Sequence, residues 1–241
     1  MSLTREGSSS IRSSRPSGIL SSLSLERPWC QGDHPSSIEW QDARRAKTWL
    51  GMLRRNPWKT INSRIAYENP WVRVREDRVI RPDGKPGIYG VVEIRPSIGV
   101  VALNEKDEIV LAGQWRYPLE RYSWEIPRGG SEHDEALLEV ARRELREEVG
   151  VEAAEWRGLG AVDACNGITT DVQHLFLATQ LRATDTSQEG VEEITARWHP
   201  FREAVEMVVR GEITEVCSIA AILLVDRLRA EGALEVPGPI L

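Results

Sequence analysis

The stretch GGSEHDEALLEVARRELREEVGV, residues 129–151, decides the fold because it joins an apolar stripe of helical period to a cluster of carboxylates. We interpret the whole stretch as one helix. Its apolar face consists of residues three or four apart in the chain: Leu137, Ala141, Leu145 and Val149. The last turn carries Glu144, Glu147 and Glu148. Two or three of these carboxylates therefore border or occupy the buried face, because Glu148 falls between Leu137 and Ala141 on the helical wheel.

The local electrostatics of this turn are unfavourable without a further cation. Like charges one turn apart, here Glu144 and Glu148, cost about 0.2–0.5 kcal/mol, and acids in a final turn oppose the helix dipole by about 0.3–1 kcal/mol. Arg143 is placed to pair with Glu147, whereas Arg142 and Arg146 project to the far side. A hard divalent ion such as Mg2+ supplies the missing charge. On charge content alone, an ordinary solvated helix is the better interpretation.

A longer match favours the metal site. The segment resembles the Nudix hydrolase signature, G-x(5)-E-x(7)-R-E-U-x-E-E-x-G-U with U aliphatic, at all nine defined positions: Gly129, Glu135, Arg143, Glu144, Leu145, Glu147, Glu148, Gly150 and Val151. The resemblance implies that Glu144, Glu147 and Glu148 bind two or three Mg2+ or Mn2+ ions, helped by the backbone carbonyl of Arg128 or Gly129. It also implies that Arg143 and Glu135 orient the motif, and that Gly129 and Gly150 meet a need for close approach or positive φ.

The rest of the chain predicts an α/β fold. Before the helix, WVRVREDRVI and IYGVVEI flank the turn RPDGKPG as a hairpin, and GVVALN and EIVLAGQWRY follow as strands. After the helix come three more strand-like segments, EWRGLGAV, VQHLFLAT and ITARWHP, and then two helices near residues 201–209 and 215–230. Strands on both sides of a central helix predict a mixed sheet with helices on its faces. The resemblance implies the Nudix α/β/α sandwich.

Composition divides the chain into three parts. Residues 1–57 form an N-terminal extension, with a Ser-rich start that predicts disorder and a short amphipathic helix in residues 36–55. The Arg- and Ser-rich start leaves an organelle transit peptide as the alternative. Residues 58–235 are the predicted Nudix domain, and residues 236–241 a C-terminal tail.

Two further segments are similar to the branch of ADP-ribose and nucleoside diphosphate sugar pyrophosphatases. GQWRYPLERYSWEIPRGG, residues 113–130, implies a substrate-binding set in which Arg116 holds the diphosphate and Glu125 fixes the site or contacts the sugar. Arg128, also assigned to this set, stands where the branch usually has Ala. NGITTDVQHLFLA, residues 166–178, places Asp171 where the branch has a Glu that binds metal or positions the attacking water.

The resemblance thus implies a pyrophosphohydrolase for a small nucleotide sugar, with ADP-ribose favoured and cleaved to AMP and ribose 5-phosphate. Its catalytic set is Glu147, Glu148, Arg143 and Asp171, with Glu148 and Asp171 as rival general bases. The alternatives are another sugar diphosphate such as GDP-mannose, and a catalytically silent nucleotide-sugar-binding protein. The branch commonly forms homodimers that share N-terminal strands, and we expect one here.

Charge and composition exclude several other classes. Residues 1–57 hold nine Lys and Arg against five Asp and Glu, a net +4, so the remainder carries −10 of the total of −6. Such an acidic body repels nucleic acid phosphates, so we expect no nucleic acid partner. Apolar runs are too short to cross a membrane. Cys30, Cys165 and Cys217 form no CxxC pair, which favours a reducing, cytoplasmic setting.

Overall fold

The structure is a computed structural model that describes residues 55–132, 135–185 and 193–234 of the 241-residue chain. Within those ranges lie ten strands: β1 (Lys59–Glu68), β2 (Arg73–Ile80), β3 (Pro86–Glu93), β4 (Ser97–Ala102), β5 (Glu108–Arg116), β6 (Arg121–Glu125), β7 (Arg128–Gly130), β8 (Val151–Asp163), β9 (Val172–Ala183) and β10 (Thr195–Pro200). The helices are α1 (Leu137–Val149), α2 (Phe201–Val209) and α3 (Val216–Ala230). The predicted Ser-rich start, the predicted tail at residues 236–241, and all but the last residue of the predicted N-terminal helix lie outside the described residues.

The central sheet is mixed, as predicted. Its order is β7-β4-β9-β8, with β4 parallel to β9 and the other pairs antiparallel. β10, β5 and β6 form a second sheet, and β1, β2 and β3 a third. In the part of the chain that is described, no helix is long and apolar enough to cross a membrane.

The alternation of side chains along β4 explains the layered architecture. All six residues of this strand are buried. Ile98, Val100 and Ala102 belong to one apolar core, whose helical members are Val140, Ala141, Leu145 and Val149 of α1. Val101 points to the opposite core, which is closed by residues of α2 and α3. Because successive side chains of a strand face opposite sides, one strand serves both cores, and helices cover both faces in the predicted α/β/α arrangement.

The predicted hairpin is confirmed, but β1 was not predicted. Gly84 takes φ +80° in the turn, and its N–H donates to the carbonyl of Arg81 at 2.9 Å. β1 pairs antiparallel with β2, yet every one of its residues is exposed. Its register shifts between Thr60 and Asn62 and again between Ile65 and Tyr67. These irregularities break the alternation that identifies a strand in a sequence.

The prediction of one helix over residues 129–151 was wrong at its start. The helix begins at Leu137, and residues 128–130 form β7 instead. Gly129 and Gly130 pair with Ile98 and Ser97 of β4. Glycine destabilises a helix, so the backbone of Gly129 and Gly130 is more stable when it hydrogen-bonds to the buried strand β4. The helix also stops before residue 151, at Val149, because Gly150 follows with φ +66° and Val151 begins β8.

Candidate active site

The three carboxylates of α1 lie at its C-terminal turn, at and beside the buried face. Glu148 is 4% exposed, and its Oε2 accepts a hydrogen bond from the backbone N–H of Arg128 at 3.0 Å. The side chains of Glu144 and Glu147 are 13% and 23% exposed. The predicted burial of this turn is therefore confirmed, and Glu148 joins the helix to the connection between β6 and β7.

Arg143 makes more contacts than its predicted pairing with Glu147. Its Nη1 donates to Glu144 Oε1 at 2.7 Å and to Glu147 Oε2 at 3.1 Å. Its Nε and Nη2 donate to Glu135 at 3.2 and 3.3 Å, and Nη2 also donates to the carbonyl of Gly130 at 3.2 Å. Burial alone would lower the pKa of Arg143, but these carboxylates raise it above its ordinary value. Arg143 thus supplies positive charge to Glu144 as well as to Glu147, the partner that the sequence predicted.

Gly129 sits directly against the carboxylate of Glu144. A Cβ added at Gly129 would lie 2.0 Å from Glu144 Cδ and Oε1. No side chain fits in that space. Close approach therefore explains this glycine, whereas its positive φ explains Gly150.

Arg116 and Glu125 form a two-pronged ion pair at the ends of β5 and β6. Arg116 Nε donates to Glu125 Oε1 at 2.9 Å, and Nη2 donates to Oε2 at 2.5 Å. Glu125 is 1% exposed. Burial would raise the pKa of this carboxyl, but Arg116 above all, with Ser123 and Arg128, holds it below its ordinary value. Two of the three guanidinium nitrogens of Arg116, Nε and Nη2, are thus engaged by Glu125.

Arg128 continues this charged chain toward α3. Its Nη1 lies 3.6 Å from Glu125 Oε2 and 3.3 Å from Glu215 Oε1. Glu215 is the N-cap residue of α3 and accepts from the backbone N–H groups of Cys217 and Ser218. Positive and negative groups therefore alternate from Arg116 to Glu215 along one side of the site.

Asp171 directly precedes β9, and its side chain contacts Ser97, the first residue of β4. Its Oδ1 accepts from Ser97 Oγ at 3.2 Å and its Oδ2 from Gln173 Nε2 at 2.9 Å. Ser97 pairs with Gly130 on one side and Gln173 on the other. The topology thus brings Asp171 to the strand that neighbours the loop around Gly129.

The loop that carries Asp171 is attached to the N-terminal sheet. The N–H of Thr170 donates to the carbonyl of Val92 at 3.0 Å, and Thr170 Oγ1 donates to the carbonyl of Ile94 at 3.1 Å. The hydroxyl of Tyr89 donates to the carbonyl of Gly167 at 2.7 Å. β3 and the chain just after it therefore hold this loop in place.

The acidic turn fits a divalent cation by its donor chemistry. Across residues 55–132, 135–185 and 193–234, no three His, Cys, Asp or Glu side chains converge in the arrangement of a formed metal site. Glu144, Glu147 and Glu148 are nevertheless neighbours on one helical turn, and they offer the oxygen ligands that Mg2+ prefers. Arg143 and the N–H of Arg128 bind these oxygens in the structure.

Sequence reasoning missed three polar residues of the site: Ser97, Gln173 and Glu215. Ser97 reaches Asp171 because β4 and β9 pair in parallel, and no local pattern shows this pairing. Gln173 is two residues from Asp171, so its side chain lies on the same side of the strand, and this spacing was the signal that could have found it. Glu215 had a local signal, because an acid directly before an apolar helix with Ser218 three residues later suggests an N-cap. No local sequence signal indicated the contact of Glu215 with Arg128.

Comparison with known protein families agrees with this geometry. A sequence model of the NUDIX domain matches residues 93–216, and one of the nucleoside diphosphate sugar hydrolase N-terminal domain matches residues 58–92. The chain is 33% identical over 178 residues to an ADP-ribose pyrophosphatase of Mycobacterium tuberculosis, covering 70% of this chain and 83% of that protein. It is 27% identical over 166 residues to an ADP-ribose pyrophosphatase of Bacillus subtilis, covering 68% and 90%.

The fold is also found among solved structures. The crystal structure of an ADP compounds hydrolase superposes with a TM-score of 0.67 and covers 75% of this chain and 98% of its own. At 18% sequence identity, this likeness concerns the arrangement of strands and helices.

Proposed function

This chain belongs to the Nudix hydrolase family, and from that membership we propose a metal-dependent pyrophosphohydrolase whose substrate is ADP-ribose. The oxygen of water bonds to one phosphorus, the bridging P–O bond breaks, and the products are AMP and ribose 5-phosphate. One observation carries the proposal: the bond from the N–H of Arg128 to Glu148 joins the acidic turn to the connection that follows Glu125. Carboxylates for metal and guanidinium groups for phosphate then belong to one site.

Glu144, Glu147 and Glu148, with the carbonyl of Arg128 or Gly129, are the groups proposed to hold Mg2+ or Mn2+. When bound, such ions supply positive charge to the diphosphate and make water acidic enough to attack phosphorus at neutral pH. Arg143 would then change partners. It keeps Glu135 and the carbonyl of Gly130, and these bonds fix the loop before α1 while the glutamates turn to the metal.

Arg116 and Arg128 are the proposed diphosphate ligands. A guanidinium group presents its donors in one plane and suits the oxygens of a phosphate. Glu125 lies 2.5 Å from Arg116 and 3.6 Å from Arg128, so it holds Arg116 in place and draws Arg128 toward the same site. Glu125 is therefore assigned to fixing the two arginines, and a direct contact with the sugar is not needed.

Glu148 and Asp171 are the two proposed proton acceptors. Glu148 lies in the acidic turn but already accepts from the main chain. Asp171 is held through both carboxylate oxygens, which fixes its direction. A general base must lie within hydrogen-bond reach of the attacking water. Substitution of each acid separates the two candidates.

The test is a substrate panel assayed with Mg2+: ADP-ribose, GDP-mannose, UDP-sugars, diadenosine polyphosphates and NADH. We expect ADP-ribose to give the highest kcat/KM, and both Glu148→Gln and Asp171→Asn to lower kcat. The acid whose loss lowers kcat more, by about two orders of magnitude or above, is the base. Glu139→Gln is the matched control, because Glu139 lies on the exposed side of the same helix and pairs with Arg142.

Each contrary result has a distinct meaning. Full turnover by Glu148→Gln would remove Glu148 from the catalytic set. Preference for GDP-mannose would keep the reaction and change the substrate. Tight binding of a nucleotide sugar with no turnover of any compound would make the protein a silent sensor.

We also propose that the protein is a homodimer joined through its N-terminal sheet. β1 is an edge strand of that sheet, since the order is β1-β2-β3. It exposes the apolar side chains of Ile61 at 61%, Ile65 at 47% and Tyr67 at 57%. An exposed apolar edge strand favours pairing with another chain. This supports a second copy as its partner.

A further inference from the structure

We propose that Glu215 is a positioning residue that holds the guanidinium group of Arg128 toward the substrate diphosphate. This inference rests on the proposed function and extends it to a residue outside the signature helix. The side chain of Arg128 is 22% exposed, so it needs a support that holds its guanidinium group in one direction before substrate binds. Glu215 is that support.

The two carboxylate oxygens of Glu215 have different partners. Oε2 accepts from Ser218 N at 2.7 Å and from Ser218 Oγ at 2.8 Å, which fixes the carboxylate on the first turn of α3. Oε1 accepts from Cys217 N at 2.9 Å and lies 3.3 Å from Arg128 Nη1. The helix therefore orients the carboxylate, and the oriented carboxylate orients Arg128.

The backbone before Arg128 is held by the same helix. The N–H of Ile126 donates to Ser218 Oγ at 3.0 Å, and the carbonyl of Pro127 accepts from the N–H of Val100 at 2.9 Å. The N–H of Arg128 donates to Glu148 at 3.0 Å. With the main chain fixed at three successive residues, the remaining freedom of Arg128 is the rotation of its side chain.

Electrostatic attraction decides the position of the Arg128 side chain when a neutral residue replaces Glu215. Glu125 also lies near Arg128, at 3.6 Å, but Arg116 already binds Glu125 through two nitrogens. The long cationic side chain of Arg128 then gains rotamer freedom, and binding of substrate has to remove that freedom. Loss of Glu215 should therefore weaken substrate binding more than it slows the chemical step.

A double-mutant cycle tests this inference in the full-length protein. Glu215→Gln keeps a hydrogen-bonding side chain without charge, and we expect it to raise KM for ADP-ribose about five- to tenfold with kcat changed less than about twofold. Arg128→Met removes the group that Glu215 is proposed to orient. In the Arg128→Met background, Glu215→Gln should change KM by less than about twofold.

A second substitution separates positioning from helix capping. Glu215→Ser places a preferred N-cap residue at the start of α3, so it keeps the cap and loses the contact with Arg128. It should raise KM as Glu215→Gln does. Glu206→Gln is the control, because Glu206 forms a comparable ion pair with Arg202 on the exposed side of α2, at 2.9 Å, and it should leave KM unchanged.

Two results overturn the inference. If Glu215→Gln changes KM equally in the wild-type and Arg128→Met backgrounds, Glu215 does not act through Arg128. A normal KM in Glu215→Ser means that Glu215 is only a helix cap. If the wild-type enzyme ignores ADP-ribose but hydrolyses another compound of the panel, the proposed substrate fails, and the same cycle with that compound still decides the role of Glu215.

Discussion

At the residue scale, the missing side chain of Gly129 is a requirement of the site. A Cβ at position 129 would lie 2.0 Å from the carboxylate of Glu144, which is too close for two atoms that are not bonded. We expect Gly129→Ala to displace that carboxylate and to lower kcat/KM about a hundredfold, the usual cost of misplacing a catalytic group by about 1 Å. Steady-state kinetics with Mg2+ and the melting temperature measure the two consequences.

Gly130 provides the matched control. A Cβ on this neighbouring residue would meet no atom within 4 Å, and Gly130 belongs to the same strand. Gly130→Ala should retain nearly full activity. Equal losses in the two variants would mean that the strand tolerates no side chain at either position, and that contact with Glu144 is not the reason for Gly129.

The depressed pKa of Glu125 predicts how stability depends on pH. Burial opposes its ionisation, but Arg116 lowers its pKa below the ordinary value of 4.5. A group with a lowered folded-state pKa stabilises the fold above its unfolded pKa, and the contribution is lost as the pH falls through the folded value. Glu125→Gln should therefore lower the melting temperature at pH 7 and make its fall below about pH 4.5 shallower.

An exposed ion pair is the comparison for this pH effect. Arg210 lowers the pKa of Glu212 as well, but both side chains are about half exposed and solvent screens the pair. Glu212→Gln should leave the melting temperature and its acid dependence nearly unchanged. If Glu125→Gln keeps the full acid dependence of the wild type, other carboxylates cause it.

Residue identities at the site were predictable to the extent that they lie in one segment of chain. The acidic turn, Arg143 and both motif glycines follow from spacing along residues 129–151. Ser97 and Glu215 were missed because their roles depend on strand pairing and on the start of a distant helix. Gln173 contacts Asp171 from two residues along the chain, but that spacing alone does not mark the two residues as a pair. Arg116 was predicted to bind phosphate, and its prior engagement by the buried Glu125 required the structure.

At the element scale, Gly150 decides where α1 ends. It has φ +66° and ψ +41°, and its N–H donates to the carbonyl of Arg146 at 3.0 Å. An L-residue in this conformation costs about 1 kcal/mol. Gly150→Ala should lower the melting temperature by about 2–4 °C. It should also lower activity, because Glu147 and Glu148 belong to the turn that Gly150 ends.

Gly167→Ala separates this backbone effect from a general sensitivity to lost glycine. A Cβ at Gly167 meets nothing within 4 Å, and its φ lies outside the positive range. The variant should melt within about 1 °C of the wild type. An equally stable Gly150→Ala protein would mean that the chain after α1 relaxes freely at this position.

Elements were predictable where their sequence pattern is regular. Nine elements were predicted near their observed positions: β2, β3, β4, β5, β8, β9, β10, α2 and α3. The strands alternate or form buried apolar runs, α2 carries an apolar stripe, and α3 is a longer, largely apolar segment. β1 was not predicted because two register shifts disturb the alternation of its side chains. β6 and β7 are five and three residues long, with Pro127 between them, too short for any period to emerge.

At the scale of the whole molecule, the N-terminal sheet is linked to the site through the Asp171 loop. β1 pairs with β2 and β2 with β3, and the chain just after β3 bonds Thr170 directly before Asp171. The opposite edge of the sheet is the proposed dimer contact. One continuous hydrogen-bonded path therefore joins the dimer contact to a candidate base, so association of two copies should affect the position of Asp171.

The dimer contact can be tested with charges on β1. Ile61→Glu combined with Ile65→Glu places two acids on side chains that are 61% and 47% exposed in one protomer, so the fold should persist while two copies repel each other. Sedimentation velocity at micromolar concentration should change from dimer to monomer, and kcat should fall because the Asp171 loop loses its support. Val209→Glu, an equally drastic change at the 72% exposed end of α2, should leave both unchanged. A monomeric wild type, or a double variant that still sediments as a dimer, would place the contact elsewhere or remove it.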